Sequence, residues 1–337
     1  GQEALTAFTG SNATAVGAGA AAAASSAAGL TAVGRSALAV VTGTHNTAVG
    51  FDAGKTIVAG ENNTAVGAGA LDGATVGAVR NTAVGQAALS GAAVGDNVAI
   101  GNAALLGFTG SNATAVGANA AVAATSATYL TAVGKGALGA CTEGAGNTAV
   151  GSAALGLLVG TGTSAGTGGN YNTALGYATG YQTTGLRNTL IGTDAGQYAT
   201  TIDDCIAIGY RALQAADSAG DNSDNATGNY NIAVGNYALD ATTSGAYNVA
   251  IGHQAGTALT TGGTTVAIGY QALLTEDTAS GSVAIGTQAL QDQNTASSNN
   301  VAVGYQAALH LDGGTDSVYM GYLAGGVGVI TGDENVV

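Results

Sequence analysis

The chain has 337 residues, with six Lys plus Arg against 20 Asp plus Glu and a formal charge of −14. So acidic a surface repels phosphate backbones, which excludes nucleic acid as a partner. Glycine reaches 58 residues and proline is absent, with charged residues at only 8%, and no uninterrupted apolar run is long enough to cross a bilayer as a helix.

From its first residues the chain repeats itself. Thr14-Ala15-Val16-Gly17 returns as Thr31-Ala32-Val33-Gly34 and then as Asn46-Thr47-Ala48-Val49-Gly50. It continues through Asn147-Thr148-Ala149-Val150-Gly151 to Asn248-Val249-Ala250-Ile251-Gly252 and Asn300-Val301-Ala302-Val303-Gly304. The closing glycine occurs in 18 copies, and all but two of the steps between copies are 16 to 18 residues. A short fixed period over a whole chain marks a solenoid, in which each repeat packs only on its neighbours. The residue before the glycine is Val, Ile, Leu or Met, and the residue three before it is Thr, Val or Ile. Between them stands Ala, replaced only by Leu190 and Tyr319. Period-two alternation with β-branched residues predicts a strand. The larger residues, including Val49, Val84, Ile191, Ile251 and Val303, are expected to face the core. The alanines, including Ala48, Ala83, Ala250 and Ala302, are then expected to form a flat face toward a neighbouring chain.

A second apolar segment follows each glycine, as in Ala37-Leu38, Ala137-Leu138, Ala212-Leu213 and Ala289-Leu290. Two short segments of small residues per coil predict a thin, two-sided coil. At about 4.8 Å per stacked strand, 18 coils make a rod of roughly 85 Å. The Ala-rich runs Ala20 to Ala24 and Ala120 to Ala124 favour helix by propensity. Both keep the repeat register, however, and are read as part of the coil. Ten copies carry Asn just before the strand, which predicts a ladder of amides between coils, a turn preference, or both together.

The two long steps place extra residues near 156–170 and 214–229, rich in Gly, Ser, Thr, Asn or Asp, and these read as projecting loops. The second holds Asp217, Asp221 and Asp224, but Ala226 and Ile232 break the EF-hand spacing, so no metal site is expected. Cys141 and Cys205 lie about four coils apart, roughly 19 Å by the strand spacing, beyond the span of a disulfide. They read as small buried thiols, with a bond between chains as the alternative. His45, His253 and His310 fall in three separate repeats. No catalytic residues and no cofactor are expected.

Tyrosine is concentrated in the second half, where Tyr177, Tyr210, Tyr270, Tyr305 and Tyr322 directly follow their anchor glycines. The same slot holds Arg35, Phe51, Gln86, Lys135 and His253 elsewhere, so it reads as accessible. In-register stacking would line these five tyrosines along one edge as a candidate ligand-contact stripe. Packing between neighbouring chains or coils is the plainer account.

The segments Asn97-Val98-Ala99-Ile100-Gly101 and Ser282-Val283-Ala284-Ile285-Gly286 resemble the head repeat of trimeric autotransporter adhesins of the YadA type. Similar long-period repeats occur in bacteriophage tail fibres. The resemblance covers nearly the whole chain, with a longer period than the family's usual one and without its neck, stalk or membrane barrel. It implies an all-β, left-handed parallel β-roll over residues 1–337, assembled as a parallel homotrimer that can extend end to end. It also implies a non-enzymatic structural fibre or adhesin segment, extracellular, on a bacterial or virion surface, with a glycan or protein receptor as partner. A tail-fibre shaft or receptor-binding region is the alternative, and an ice-binding solenoid ranks below both. The chain opens inside one repeat and stops at the start of another, which reads as a window of a longer fibre.

Overall fold

The computed structural model describes residues 1–73, 77–158, 169–215, 227–278, 280–293, 298–326 and 328–337. Regular structure among them is entirely parallel β-strand, one strand per repeat, forming a β-solenoid. The chain divides into two compact units, Gly1–Tyr171 and Asn172–Val337. The first unit holds β1 (Ser11–Val16), β2 (Ala28–Val33), β3 (Thr47–Val49), β4 (Thr64–Val66), β5 (Thr82–Val84), β6 (Val98–Ile100), β7 (Thr114–Val116), β8 (Thr131–Val133) and β9 (Thr148–Val150). The second holds β10 (Thr173–Leu175), β11 (Thr189–Ile191), β12 (Ile206–Ile208), β13 (Ile232–Val234), β14 (Val249–Ile251), β15 (Val266–Ile268), β16 (Val283–Ile285), β17 (Val301–Val303) and β18 (Val318–Met320).

Within each unit consecutive strands pair in parallel with no slippage. Thr47, Ala48 and Val49 sit over Thr64, Ala65 and Val66, and Val249, Ala250 and Ile251 over Val266, Ala267 and Ile268. The Ala-rich runs make no helix; Ala20, Ala21, Ala24, Ala120, Ala121 and Ala124 are buried in the second wall of their coils.

The inside–outside assignment of the strand is the reverse of the expected one. Ala48, Ala83, Ala250 and Ala302 are buried at 0% exposure, whereas Ile251 is 39% exposed and Val49 38%. Val84, Ile191 and Val303 are likewise only half-buried. Alternation correctly identifies two faces, but the gap between the walls decides which side is the core. In the coil of β14, a side chain at Gly256 would stand 3.8 Å from the Ala250 methyl and 3.1 Å from a methyl of Leu239. A space that narrow admits Ala and turns Val and Ile outward. The two exceptions obey the same rule. Buried Leu190 faces Gly196, where an added Cβ would come within 3.1 Å of it. Buried Tyr319 faces Gly325, again at 3.1 Å.

Close stacking also explains the anchor glycine. Gly252 has φ +137, and a Cβ there would lie 2.3 Å from the carbonyl oxygen of Gly269 in the next coil. After it the chain turns through left-handed residues at the second and fourth positions, such as Tyr237 (φ 61) and Leu239 (φ 51). Their N–H groups bond the adjacent coils, Tyr237 to the Tyr210 carbonyl at 2.9 Å and Leu239 to the Ala255 carbonyl at 3.1 Å. The cost of placing non-glycine residues there, of order 1–2 kcal/mol each, is offset by a ladder repeated in every coil.

Asparagine completes the interior. In the first unit the Asn46 Oδ1 accepts the Asn63 N–H at 3.0 Å, Asn63 does the same for Asn81 at 2.9 Å, and Asn81 for Asn97 at 3.2 Å. In the second unit Asn172, Asn188, Cys205, Asn231, Asn248 and Thr265 form the corresponding column. Most of these side chains are fully buried, so the ladder satisfies donors that would otherwise be stranded. The amide ladder is therefore present, and the turn preference alone is too weak a description.

Candidate ligand-contact stripe

The slot after the anchor glycine is where the strand leaves the sheet, and its side chain points away from the core. Tyr177, Tyr210, Tyr270, Tyr305 and Tyr322 are all exposed, from 39% at Tyr210 to 75% at Tyr322. Phe51 of the first unit is exposed in the same slot, with the Arg35 guanidinium 4.4 Å from its ring centre.

The rings are brought together within the second unit. Tyr305 and Tyr322 stack at 5.4 Å and 13°, and His253 stacks on Tyr270 at 5.7 Å and 18°. Tyr237, one residue further along its coil, joins Tyr210 edge to face at 5.3 Å and His253 at 6.0 Å. Tyr210, Tyr237, His253 and Tyr270 thus make one continuous aromatic run. His253 shares the slot of the five tyrosines, whereas Tyr237 was not singled out by position; the periodic register carries that signal once the second slot is read beside the first. Each stacked ring spends one face on its neighbour, leaving edges and hydroxyl ends for any outside partner.

Beside this run lies a column of glutamines. The Gln271 amide donates to Gln254 at 2.9 Å, Gln288 to Gln271 at 3.3 Å and Gln306 to Gln288 at 2.8 Å. On the other rim of the strand, Tyr230 and Tyr247 stack at 4.9 Å and 13°. That rim also carries Arg80 forked onto Asp96 at 2.6 and 2.7 Å, and Arg187 onto Asp204 at the same distances. The guanidinium beside each carboxyl holds Asp96 and Asp204 below the usual range. Such exposed pairs contribute little to stability.

Cys141 and Cys205 are free and fully buried, and burial pushes both thiols up to about 11. Cys205 occupies an Asn position in the ladder, its sulfur accepting the Asn231 N–H at 3.4 Å. His45 and His253 are exposed, and His310 lies 2.6 Å from Asp292. Among the described residues no three His, Cys, Asp or Glu side chains come together as metal ligands. Asp217, Asp221 and Asp224, with most of both projecting loops, lie outside the described residues. No helix among the described residues is long and apolar enough to cross a membrane.

No protein-family model matches the chain, and no curated protein matches it significantly.

Proposed function

We propose that this chain is a non-enzymatic structural segment of an extracellular fibre on a bacterial or virion surface, built as a left-handed β-roll in a parallel homotrimer. Its work is adhesive: it carries a repeated outer surface toward a glycan or protein receptor. The observation that supports this reading is the uninterrupted register. Among the described residues most interior slots are filled by Ala, Leu or Asn, while the slot after the glycine varies freely and collects exposed tyrosines in the second unit. Variation concentrated on the outward rims of a constant scaffold is what a display surface requires.

The test is adhesion. A chain carrying Tyr177→Ser, Tyr210→Ser and Tyr322→Ser should keep its far-UV spectrum, because these side chains are exposed, and should lose retention on a panel of immobilised glycans and cell-surface proteins. Wild-type chain that is retained on no member of the panel, or variant chain retained as well as wild type, would sink the adhesive reading.

A second reading draws on the reversal of the strand faces. The Thr column of β2 to β5, Thr31, Thr47, Thr64 and Thr82, turns outward in strict register. A regular hydroxyl–methyl array of that kind suits ordered water, hence ice. Thermal hysteresis of a purified solution checks it directly; freezing and melting points that coincide exclude it.

A further inference from the structure

Two pairs of tyrosines on the rims of the second unit share an unusual geometry. Tyr230 and Tyr247 lie two residues before β13 and β14, in consecutive coils. Both have left-handed backbones, φ 60 and φ 61. Both N–H groups are held in the ladder, Tyr230 to the Asp203 carbonyl at 3.0 Å and Tyr247 to the Asn229 carbonyl at 3.1 Å. Residues of the same backbone, one strand spacing of about 4.8 Å apart, send their side chains out in parallel. The two rings accordingly stack at 4.9 Å and 13°. Tyr305 and Tyr322 directly follow the anchor glycines of β17 and β18, and stack at 5.4 Å and 13°. All four rings are exposed, from 45% at Tyr305 to 75% at Tyr322.

Other tyrosines lack this arrangement. Tyr210 lies 5.3 Å from Tyr237 but at 89°, and Tyr237 also meets the Arg211 guanidinium at 5.5 Å. Tyr270 stacks on His253, and Tyr319 is buried. Tyr129 and Tyr171 share the slot of Tyr230, but Gly146 occupies the coil between them, which sets them about 9.6 Å apart by strand spacing. In the two stacked pairs the near-parallel rings face each other, so the ring carbons beside the two hydroxyls are neighbours. Exposed side chains turn about their χ angles on the ps–ns timescale, which lets those carbons meet.

We propose that Tyr230 with Tyr247, and Tyr305 with Tyr322, are oxidative cross-linking sites. A peroxide-driven one-electron oxidant of the haem-peroxidase class joins each pair, and so two neighbouring coils, by a carbon–carbon bond. Each phenol gives up one electron and its hydroxyl proton and becomes a phenoxyl radical. The two radicals couple through ring carbons beside their oxygens. The hydrogen on each coupled carbon then moves to its own oxygen, which restores both aromatic rings and both hydroxyls. Across the step a pair loses two electrons and two protons, and one hydrogen peroxide takes them up to form two waters. The product ties coil to coil where the three-residue strands are otherwise held by hydrogen bonds. Disulfides do not serve this purpose here, since both cysteines are free and buried. The bond closes a loop one repeat long, and restricts the unfolded chain as a disulfide does. It needs neither a receptor nor a second copy, so it is independent of the adhesive reading.

The experiment treats the full chain with a haem peroxidase and hydrogen peroxide, then unfolds it and cleaves on the amino side of aspartate. Asp240 separates the first pair, and Asp312 and Asp316 the second. A linked pair therefore emerges as two joined peptides, lighter than their sum by two hydrogens. Both joined species are expected, with blue dityrosine fluorescence and a single chain mass on a denaturing gel. Tyr247→Phe and Tyr322→Phe keep the stacked ring and remove the hydroxyl that is oxidised. Each should abolish the link in its own pair and leave the other at wild-type yield, with the far-UV spectrum unchanged. Tyr129 and Tyr171, separable by cleavage at Lys135, should stay unlinked. A treated chain in which both pairs stay unlinked overturns the proposal, and one unlinked pair removes that pair from it. Joining of Tyr129 to Tyr171 as readily as the stacked pairs also overturns it, because stacking would then select nothing. So do links found only between chains, seen as multiples of 31.7 kDa on the denaturing gel.

Discussion

At the scale of the residue, the packing rule is a trade of volume between the two walls. Most coils set Ala in the strand against Leu in the second wall, as Ala233 against Leu239, both buried. The coil of β11 inverts this with Leu190 and Gly196, and Gly196 already sits at φ +61, the conformation that leucine adopts in other coils. Leu190→Ala should therefore open a cavity and cost about 2–5 kcal/mol. Gly196→Leu should overpack against Leu190 by about 1–3 kcal/mol. Combined, the two rebuild the common arrangement, so the double variant should recover most of the loss. Urea midpoints of the four proteins check this as a cycle; simple additivity would mean the two sites do not share one space. A related expectation concerns Glu276, fully buried in a slot that holds buried Leu259 and Leu311 in coils of the same unit. Its carboxylate accepts, among its contacts, the Thr278 N–H at 2.9 Å, a bond to a charged group worth about 1.5–3 kcal/mol, whereas burying an ionised carboxyl costs more. Glu276→Leu should raise the melting temperature; a fall would show that the carboxylate's bonds outweigh its burial.

From β3 onward the elements are three-residue strands, too short to persist without neighbours, and the asparagine column fixes many of them to the next. Asn248 accepts the Thr265 N–H at 3.0 Å and donates to the Gly262 carbonyl at 2.9 Å. Asn248→Ala strands both groups in the interior and should cost about 2–4 kcal/mol. Asn248→Ser should cost less, because Ser317 serves the same role for the Asn335 N–H at 2.9 Å. Amide hydrogen exchange at Thr265 should accelerate in the alanine variant before exchange in distant coils; uniform acceleration would mean the column acts globally. The sequence makes this much plain: the period, the strand, the second apolar wall and the amide column all follow from which residue types recur at fixed spacing. It does not disclose which strand face is inside, because alternation is symmetric and the larger residue is the natural choice for a core. Only the distance between walls, set by Leu239 and Gly256 opposite Ala250, reverses the choice. Leucine in a left-handed turn, as at Leu239, is also hidden, since propensity argues against it and only the ladder between coils sustains it. The aromatic stripe, His253 included, was legible as an accessible column, whereas the ring partner Tyr237 depended on turn geometry.

For the whole molecule the governing quantity is charge. Each copy carries −14 with six basic residues, so bringing copies together is opposed at long range wherever they meet. Repulsion of this kind is screened within about 10 Å at 0.1 M salt and reaches about 30 Å at 0.01 M. An aliphatic strand face such as the one carrying Val266 and Ile268 adds no attractive ion pairs that salt could weaken, and its apolar contribution does not fade as salt rises. Self-association should therefore tighten as salt increases from about 0.01 to 0.5 M, seen as a multimer that persists to lower protein concentration. An interface built on opposite charges behaves in the other direction, since salt screens the attraction that holds it. Sedimentation velocity across a salt series separates the two. Dissociation on adding salt would place the contact on charged rims such as Arg80 and Asp96, and away from Val266, Ile268 and their neighbours.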